Sequence, residues 1–363
     1  MRGAERLPAV VGSDPGDGSC QGVELPRTGV RPHPPAGGPT GIGICRNDMN
    51  GSMLARMKRL MPAGLKTRLY VLSITALAVS VLPVAAQSSM NAREQANVKF
   101  VLDWWREVIQ SRHVELAPKY QAEDYIQHNI NIQTGRAGFQ KFFGSRGEPI
   151  AIAPELNPKP AIAFGKGDYV VVIWEREGKD PIDSTKTYKY NTYDLLRLQN
   201  GKVQEHWDWA QKQPKIPYGG APDGIDYSKV TFTLSPQEQK NLEIATIEFK
   251  DILQYGHVEL AEKAMAPTYI QHNPNVPTGR AAFVEFFSRI RKPEPIKAEW
   301  KDKPAITIVS GSYVFMMFKR TLMDPDDKSK TYPAFWFDMV RVDNGLVQEH
   351  WDSAVKNPPA PSK

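Results

Sequence analysis

DLLRLQNGKVQEHWD, residues 194–208, returns as DMVRVDNGLVQEHWD at residues 338–352. Each copy reads as two alternating strands around an Asn-Gly turn, Asn200-Gly201 and Asn344-Gly345, the strongest short-range sign of a β-hairpin. On the last strand His206 and Asp208 are two residues apart and share a face, while Glu205, Trp207 and Trp209 share the other. A two-residue Asn-Gly loop sets Tyr193 opposite Asp208. A three-residue loop, Gln199-Asn200-Gly201 with a glycine bulge, sets Asp194 opposite His206. One residue of slip reverses every face. The bulge is preferred, because it keeps Arg197 beside Glu205 outside and joins Asp194, His206 and Asp208 inside.

Outward from the hairpin the repeat continues at a constant offset of 144. HVELA at 113–117 recurs at 257–261, YIQHN at 125–129 recurs at 269–273, TGRA at 134–137 recurs at 278–281, and KPAI at 159–162 recurs at 303–306. No insertion or deletion interrupts the alignment from Glu94 to Ala210, and roughly 52 of its 117 positions are identical. Solenoid units run about 20–50 residues, so this period predicts two complete domains, 87–212 and 236–357. Between them lies a linker, 213–235, with Pro214, Pro217, Gly219, Gly220, Pro222 and Gly224; 358–363 is a tail. Six of the seven histidines form matched pairs, His113/His257, His128/His272 and His206/His350. Trp104 and Glu248 differ between copies and read as helix surface.

Each unit opens with a helical pattern, residues 94–111 with Val98, Val101, Leu102, Trp105, Val108 and Ile109 at helical spacing. A short helix at 114–121 and another at 137–145 follow. Strand patterns fill the rest, at 161–165, 168–177, 192–198 and 203–210. Helices first and a meander afterwards predict an α+β fold, each unit a cone in which a curved, mostly antiparallel sheet wraps its N-terminal helices.

The 363 residues are 41% hydrophobic and 24% charged, as in a water-soluble globular chain. The net charge of +6 is concentrated upstream: residues 1–86 hold ten Lys/Arg against five Asp/Glu, which leaves 36 against 35 for 87–363. A nearly neutral globular part removes the main support for nucleic-acid binding. Residues 1–52 are Gly- and Pro-rich without period and read as disordered or as a mis-called upstream segment. Basic residues Arg56, Lys58, Arg59, Lys66 and Arg68 then precede an apolar run at 69–82 and Pro83-Val84-Ala85-Ala86. This is the pattern of a secretory signal peptide, 53–86, cleaved after Ala86, with an uncleaved membrane anchor as the alternative. The expected start is Met53, Met57 or Met61, and the expected location is periplasmic or secreted, with no membrane contact after cleavage. Cys20 and Cys45 are both upstream, so the mature chain has neither thiol chemistry nor Cys-ligated zinc.

Tyr-Ile-Gln-His-Asn, then Gly-Arg and Phe-Phe, then Asp-Tyr-Val-Val, and last Asp-x-x-Arg-x-x-Asn-Gly-x-Val-x-Glu-His-Trp-Asp together resemble the SnoaL-like polyketide cyclase family of the nuclear transport factor 2-like superfamily. The resemblance covers 94–212 and 238–356. It implies a cone-shaped α+β barrel and, for characterised cyclases, an aldol-type ring closure with an aspartate as acid and base. The scaffold also serves non-catalytic binding modules. Two functions are therefore carried forward: an exported cyclase, isomerase or lyase acting on a small hydrophobic carbonyl compound, and a non-catalytic small-molecule-binding protein of the same fold.

A carboxylate whose pKa is raised by an apolar pocket can take a proton alpha to a carbonyl and return one to the new alkoxide. Asp208 with His206, and Asp352 with His350, are the candidates. Tyr125, His128 and Asn129, with Tyr269, His272 and Asn273, are expected to position the substrate, and Asp194 and Asp338 to line the pockets. His128, His206 and Asp208 also have the composition of a mononuclear iron or zinc site. No His-Glu-x-x-His motif accompanies them, so neither metal nor cofactor is expected. His113 and His257 read as exposed loop residues, Arg136 and Arg280 as anion binders or helix-anchoring ion pairs, and Phe142, Phe143, Phe286 and Phe287 as core. Tyr193, Trp207 and Trp209 on one outer face, and Phe337 and Trp351 on the other, predict an intramolecular pseudo-dimer packed sheet to sheet.

Overall fold

The computed structural model describes residues 89–220 and 226–358. The expected signal peptide with its expected cleavage point, the upstream segment, both cysteines, Pro222, Gly224 and residues 359–363 lie outside the described residues. Among the described residues no helix is long and apolar enough to cross a membrane.

A capping box starts the first helix: the Asn91 side chain accepts from the Glu94 N–H while the Glu94 carboxylate accepts from the Asn91 N–H. Helix α1, Ala92–Trp104, runs on as a wider π-helical segment, Trp105–Gln110. A 3-10 turn, Val114–Leu116, and the single turn α2, Ala117–Tyr120, replace the predicted second helix. Strand β1, Gln121–Gln127, and helix α3, Arg136–Gly144, come next. Strands β2, Ile162–Lys166, β3, Tyr169–Lys179, β4, Thr187–Gln199, and β5, Lys202–Asp208, complete the first unit.

The second unit has the same element order. Helix α4, Pro236–Thr246, again opens on a capping box, Ser235 with Glu238, and again widens, over Ile247–Gln254. Then follow α5, Ala261–Ala264, β6, Met265–Gln271, and α6, Arg280–Ile290. Strands β7, Ile306–Ser310, β8, Tyr313–Met323, β9, Thr331–Asp343, and β10, Leu346–Asp352, finish it. The sheets run β1-β5-β4-β3-β2 and β6-β10-β9-β8-β7. Both are mixed, because β1 lies parallel to β5 and β6 parallel to β10. The fold is α+β with two five-stranded sheets; the added edge strand, which carries YIQ of the YIQHN motif, is absent from the strand pattern read off the sequence.

The turn between β4 and β5 corrects the expected hairpin. Asn200 and Gly201 have φ of 51° and 70°, the left-handed pair of a two-residue type I′ turn, with Gln199 opposite Lys202. The register then shifts between Leu198, paired with Val203, and Arg197, paired with Glu205, so that Gln204 is the extra residue. Asp194 stands opposite Asp208 rather than His206. A bulge inside the strand restores the parity that a bulge in the loop would have given. Asp194, His206 and Asp208 therefore share the inner face all the same, with Arg197 and Glu205 outside, where Arg197 Nε lies 2.6 Å from Glu205.

Alternation divides each sheet between two cores. On the inner face Val170, Val172, Trp174, Leu196 and Leu198 pack against Val98, Val101, Trp104 and Val108 of the first helix. On the outer face Val171, Ile173, Tyr193, Leu195 and Trp207 share one apolar cluster with Phe315, Met317, Phe337, Met339 and Trp351 of the other sheet. The Tyr193 and Phe337 rings, 144 residues apart, stack at 5.6 Å. Paired contacts flank them: Lys212 reaches Asp324 at 3.0 Å, and its counterpart Lys356 reaches Asp180. The Tyr193 hydroxyl is buried and has no hydrogen-bond partner among the described residues, while Phe337 has no hydroxyl to satisfy. Because an orphaned buried hydroxyl costs about 1–3 kcal/mol, Tyr193→Phe is expected to hold or raise the unfolding midpoint; a clear loss of stability in a denaturant melt would contradict this packing.

Candidate active site

The inner face of each sheet carries a polar cluster at the hairpin strands β4–β5 and β9–β10. In the first unit His206, nearly buried, points Nε2 at Asp194 Oδ1, 2.7 Å away. Its Nδ1 faces the Tyr125 hydroxyl at 3.0 Å and the Gln127 amide nitrogen at 3.3 Å. Gln127 also donates to the Tyr125 oxygen at 3.0 Å, which leaves the tyrosine proton for His206 Nδ1. The neutral ring thus carries its hydrogen on Nε2, toward Asp194. Asp194 receives a second donor, the Trp174 indole N–H, at 2.7 Å. Asp208 is held differently, by the Asn129 side-chain amide, 2.8 and 3.0 Å from its two oxygens.

Burial lifts the Asp208 pKa to about 6, against the opposing pull of the His206 charge and with added repulsion from Asp194. For His206 burial disfavours the charged ring, but the Asp194 hydrogen bond and the two carboxylate charges outweigh it and raise its pKa. Burial also pushes the Tyr125 hydroxyl well above the usual phenol range, so it stays a proton donor. A carboxyl group poised near neutrality beside an imidazole can accept and return one proton in a cycle.

Of the residues proposed from sequence, Tyr125, Asn129, Asp194, His206 and Asp208 converge. His128 does not. Its ring lies flat on Trp207, centroids 4.8 Å apart, and Nε2 is 3.1 Å from Glu205 on the outer face. His272 repeats this against Trp351 and Glu349. In an extended strand Tyr125 and Gln127 share one face and His128 takes the other, so the mixed iron or zinc trio of His128, His206 and Asp208 does not form. Gln127, which links Tyr125 to His206, was missed, though its place in YIQHN pointed to it.

Trp104 and Glu248 are the larger correction. Both are fully buried, and both touch the site histidine. Trp104 sets its ring edge-on to His206, centroids 6.0 Å apart; Glu248 Oε1 lies 2.7 Å from His350 Nδ1. Trp104 follows Val98 and Val101 on the buried helical face, and that spacing was the available signal.

The remaining readings sort by contact. Arg136 and Arg280 donate to the backbone carbonyls of Gln121 and Met265 at 3.2 and 3.1 Å, fixing helix to strand, and make no ion pair among the described residues. His113 is only partly exposed and bridges Glu115 and the Ile150 carbonyl. Phe139 and Phe283 are the fully buried phenylalanines of α3 and α6; Phe142, Phe143, Phe286 and Phe287 are only half-buried.

In the second unit Asp352 is held by Asn273 at 2.7 Å, and burial again lifts its pKa to about 6. His350 Nε2 lies 3.2 Å from Asp338. Tyr269 turns its hydroxyl to Glu248, at 3.3 Å, rather than to the histidine.

Residues 99–216 match the model of the SnoaL-like polyketide cyclase family. No curated protein sequence matches the chain. Among solved structures the chain is similar to TsrD from Streptomyces laurentii (14% identity, 32% of this chain and 88% of that one, TM-score 0.25). It is similar also to an LEH-like epoxide hydrolase from M. tuberculosis (13% identity, 34% and 86%, TM-score 0.26). A third is an NTF2-like protein from Mesorhizobium loti (16% identity, 34% and 97%, TM-score 0.24).

Proposed function

We propose that this chain is an exported protein of two SnoaL-like units whose buried Asp-His pairs perform proton transfer on a small hydrophobic carbonyl compound, as an aldol-type cyclase, isomerase or lyase. The observation that carries the reading is Asp208, lifted to about pKa 6 in a buried site beside His206, within the segment that matches the cyclase family. Ionised Asp208 takes the proton alpha to the carbonyl, Tyr125 and Asn129 lie in reach to orient the oxygen, and the protonated carboxyl returns its proton to the new alkoxide. Asp352 and His350 are the corresponding pair. The two units are proposed to form an intramolecular pseudo-dimer, supported by the shared outer-face cluster. Export rests on the basic, apolar and small-residue succession at 53–86.

Non-catalytic ligand binding is favoured by one observation, that Asp194, His206 and Asp208 already satisfy one another or Trp174, Tyr125 and Asn129. Mass spectrometry of small molecules released from the purified protein identifies the ligand. Conversion of that ligand supports the enzyme; binding without conversion supports the alternative; and the absence of both defeats the proposal.

A further inference from the structure

The two sites differ by two exchanges that act in one direction. In the first unit the Trp174 indole donates to Asp194 at 2.7 Å; at the matching position of the second unit stands Phe318, which has no donor for Asp338. Trp104, apolar against His206, is matched by Glu248. Glu248 is fully buried, with Oε1 on His350 Nδ1 and Oε2 without a hydrogen-bond partner among the described residues. The second site thus gathers three carboxylates about one imidazole, where the first has two, and has lost a donor. Unbalanced buried negative charge is costly unless a cation joins it.

Asp338, His350 and Asp352 each offer one ligand atom, all within 4.8 Å of one another. His350 Nε2 is 3.2 Å from Asp338 Oδ1 and 4.0 Å from Asp352 Oδ2. Ligand atoms about 2.0–2.2 Å from one ion stand about 3–3.5 Å apart, so small side-chain shifts suffice. Glu248 on Nδ1 completes the carboxylate-histidine-metal arrangement that fixes the ring and raises its basicity.

We propose that the second unit binds one divalent transition-metal ion through Asp338, His350 Nε2 and Asp352, with Glu248 holding the Nδ1 hydrogen. The ion takes the place of the proton on Nε2, which is released to solvent, while the other hydrogen stays on Nδ1 and is donated to Glu248. A set of one nitrogen and two carboxylate oxygens suits zinc, manganese, iron or cobalt. The first unit presents the same three residue types, but His206 Nδ1 faces a hydroxyl and an amide, and Asp194 spends an oxygen on Trp174. The inference is independent of the Asp208 proton chemistry, and where the ion is bound Asp352 and His350 serve as its ligands in place of the proton-transfer pair proposed for the second unit.

Cobalt(II) alone is the probe, added to chelator-treated full-length protein and followed by visible absorption and calorimetry. One high-affinity ion per chain is expected, lost in His350→Ala and retained in His206→Ala. The nearly isosteric Glu248→Gln is expected to weaken it about 10- to 100-fold, and Phe318→Trp, which restores a donor to Asp338, is expected to weaken it as well. No binding by the wild-type chain, binding that survives His350→Ala, or affinity unchanged by Glu248→Gln overturns the proposal.

Discussion

Replacing Asp208 and Asp352 together by asparagine is expected to lower kcat/KM for the proposed carbonyl substrate by about 100- to 10,000-fold, the usual contribution of a positioned general acid-base group. Asparagine keeps the shape and the contact with Asn129 or Asn273 but cannot exchange a proton. The folded protein is expected to persist. Because the Asp208 pKa is raised in the folded state, its contribution to stability is fully present below the ordinary carboxylate pKa and is lost as pH rises through about 6. The neutral amide removes that cost, so thermal stability at neutral pH should be unchanged or higher. A circular-dichroism melt run beside the kinetics separates lost chemistry from lost structure; full turnover in the double variant would exclude both aspartates from catalysis.

Phe337→Ala is expected to destabilise the protein by about 3–5 kcal/mol, the range for truncating a buried phenylalanine. Its ring is fully buried, stacks on Tyr193 and touches Phe315. The cavity would open in the cluster that both sheets share rather than within one cone. The same variant should therefore loosen the proposed pseudo-dimer, and small-angle scattering should report a larger, more variable particle than the wild type. A loss below about 1 kcal/mol, or scattering from the wild type that already fits separate beads on a linker, would contradict the pseudo-dimer.

What the sequence made legible depended on how local the determining contacts are. Strand parity on β4 and β5 was readable, because Arg197 and Glu205 had to meet outside and the acids inside. The device that sets it, an extra residue at Gln204, leaves no mark on an alternating pattern. Strand β1 was illegible for a different reason. It reads QAEDYIQ, with exposed Glu123 and Asp124 in its middle, and its partner β5 lies about eighty residues on. Without that strand His128 could be placed beside Tyr125; with it, alternation sends His128 to the outer face. Drift between the two copies misled at Trp104 and Glu248, since a buried position can differ when its neighbours also change. Phe318 in place of Trp174 is such a change.

The most direct test of the proposed acid-base site is the washout of alpha protons from the carbonyl ligand that the mass spectrometry identifies, in deuterated buffer and followed by NMR from about pH 4 to about pH 9. With ionised Asp208 as the proposed base, exchange should rise with pH through a midpoint near 6 and level off above it, and that limb should vanish in the Asp208→Asn, Asp352→Asn double variant. A rate without a limb near pH 6, or the same limb in the double variant, would contradict it.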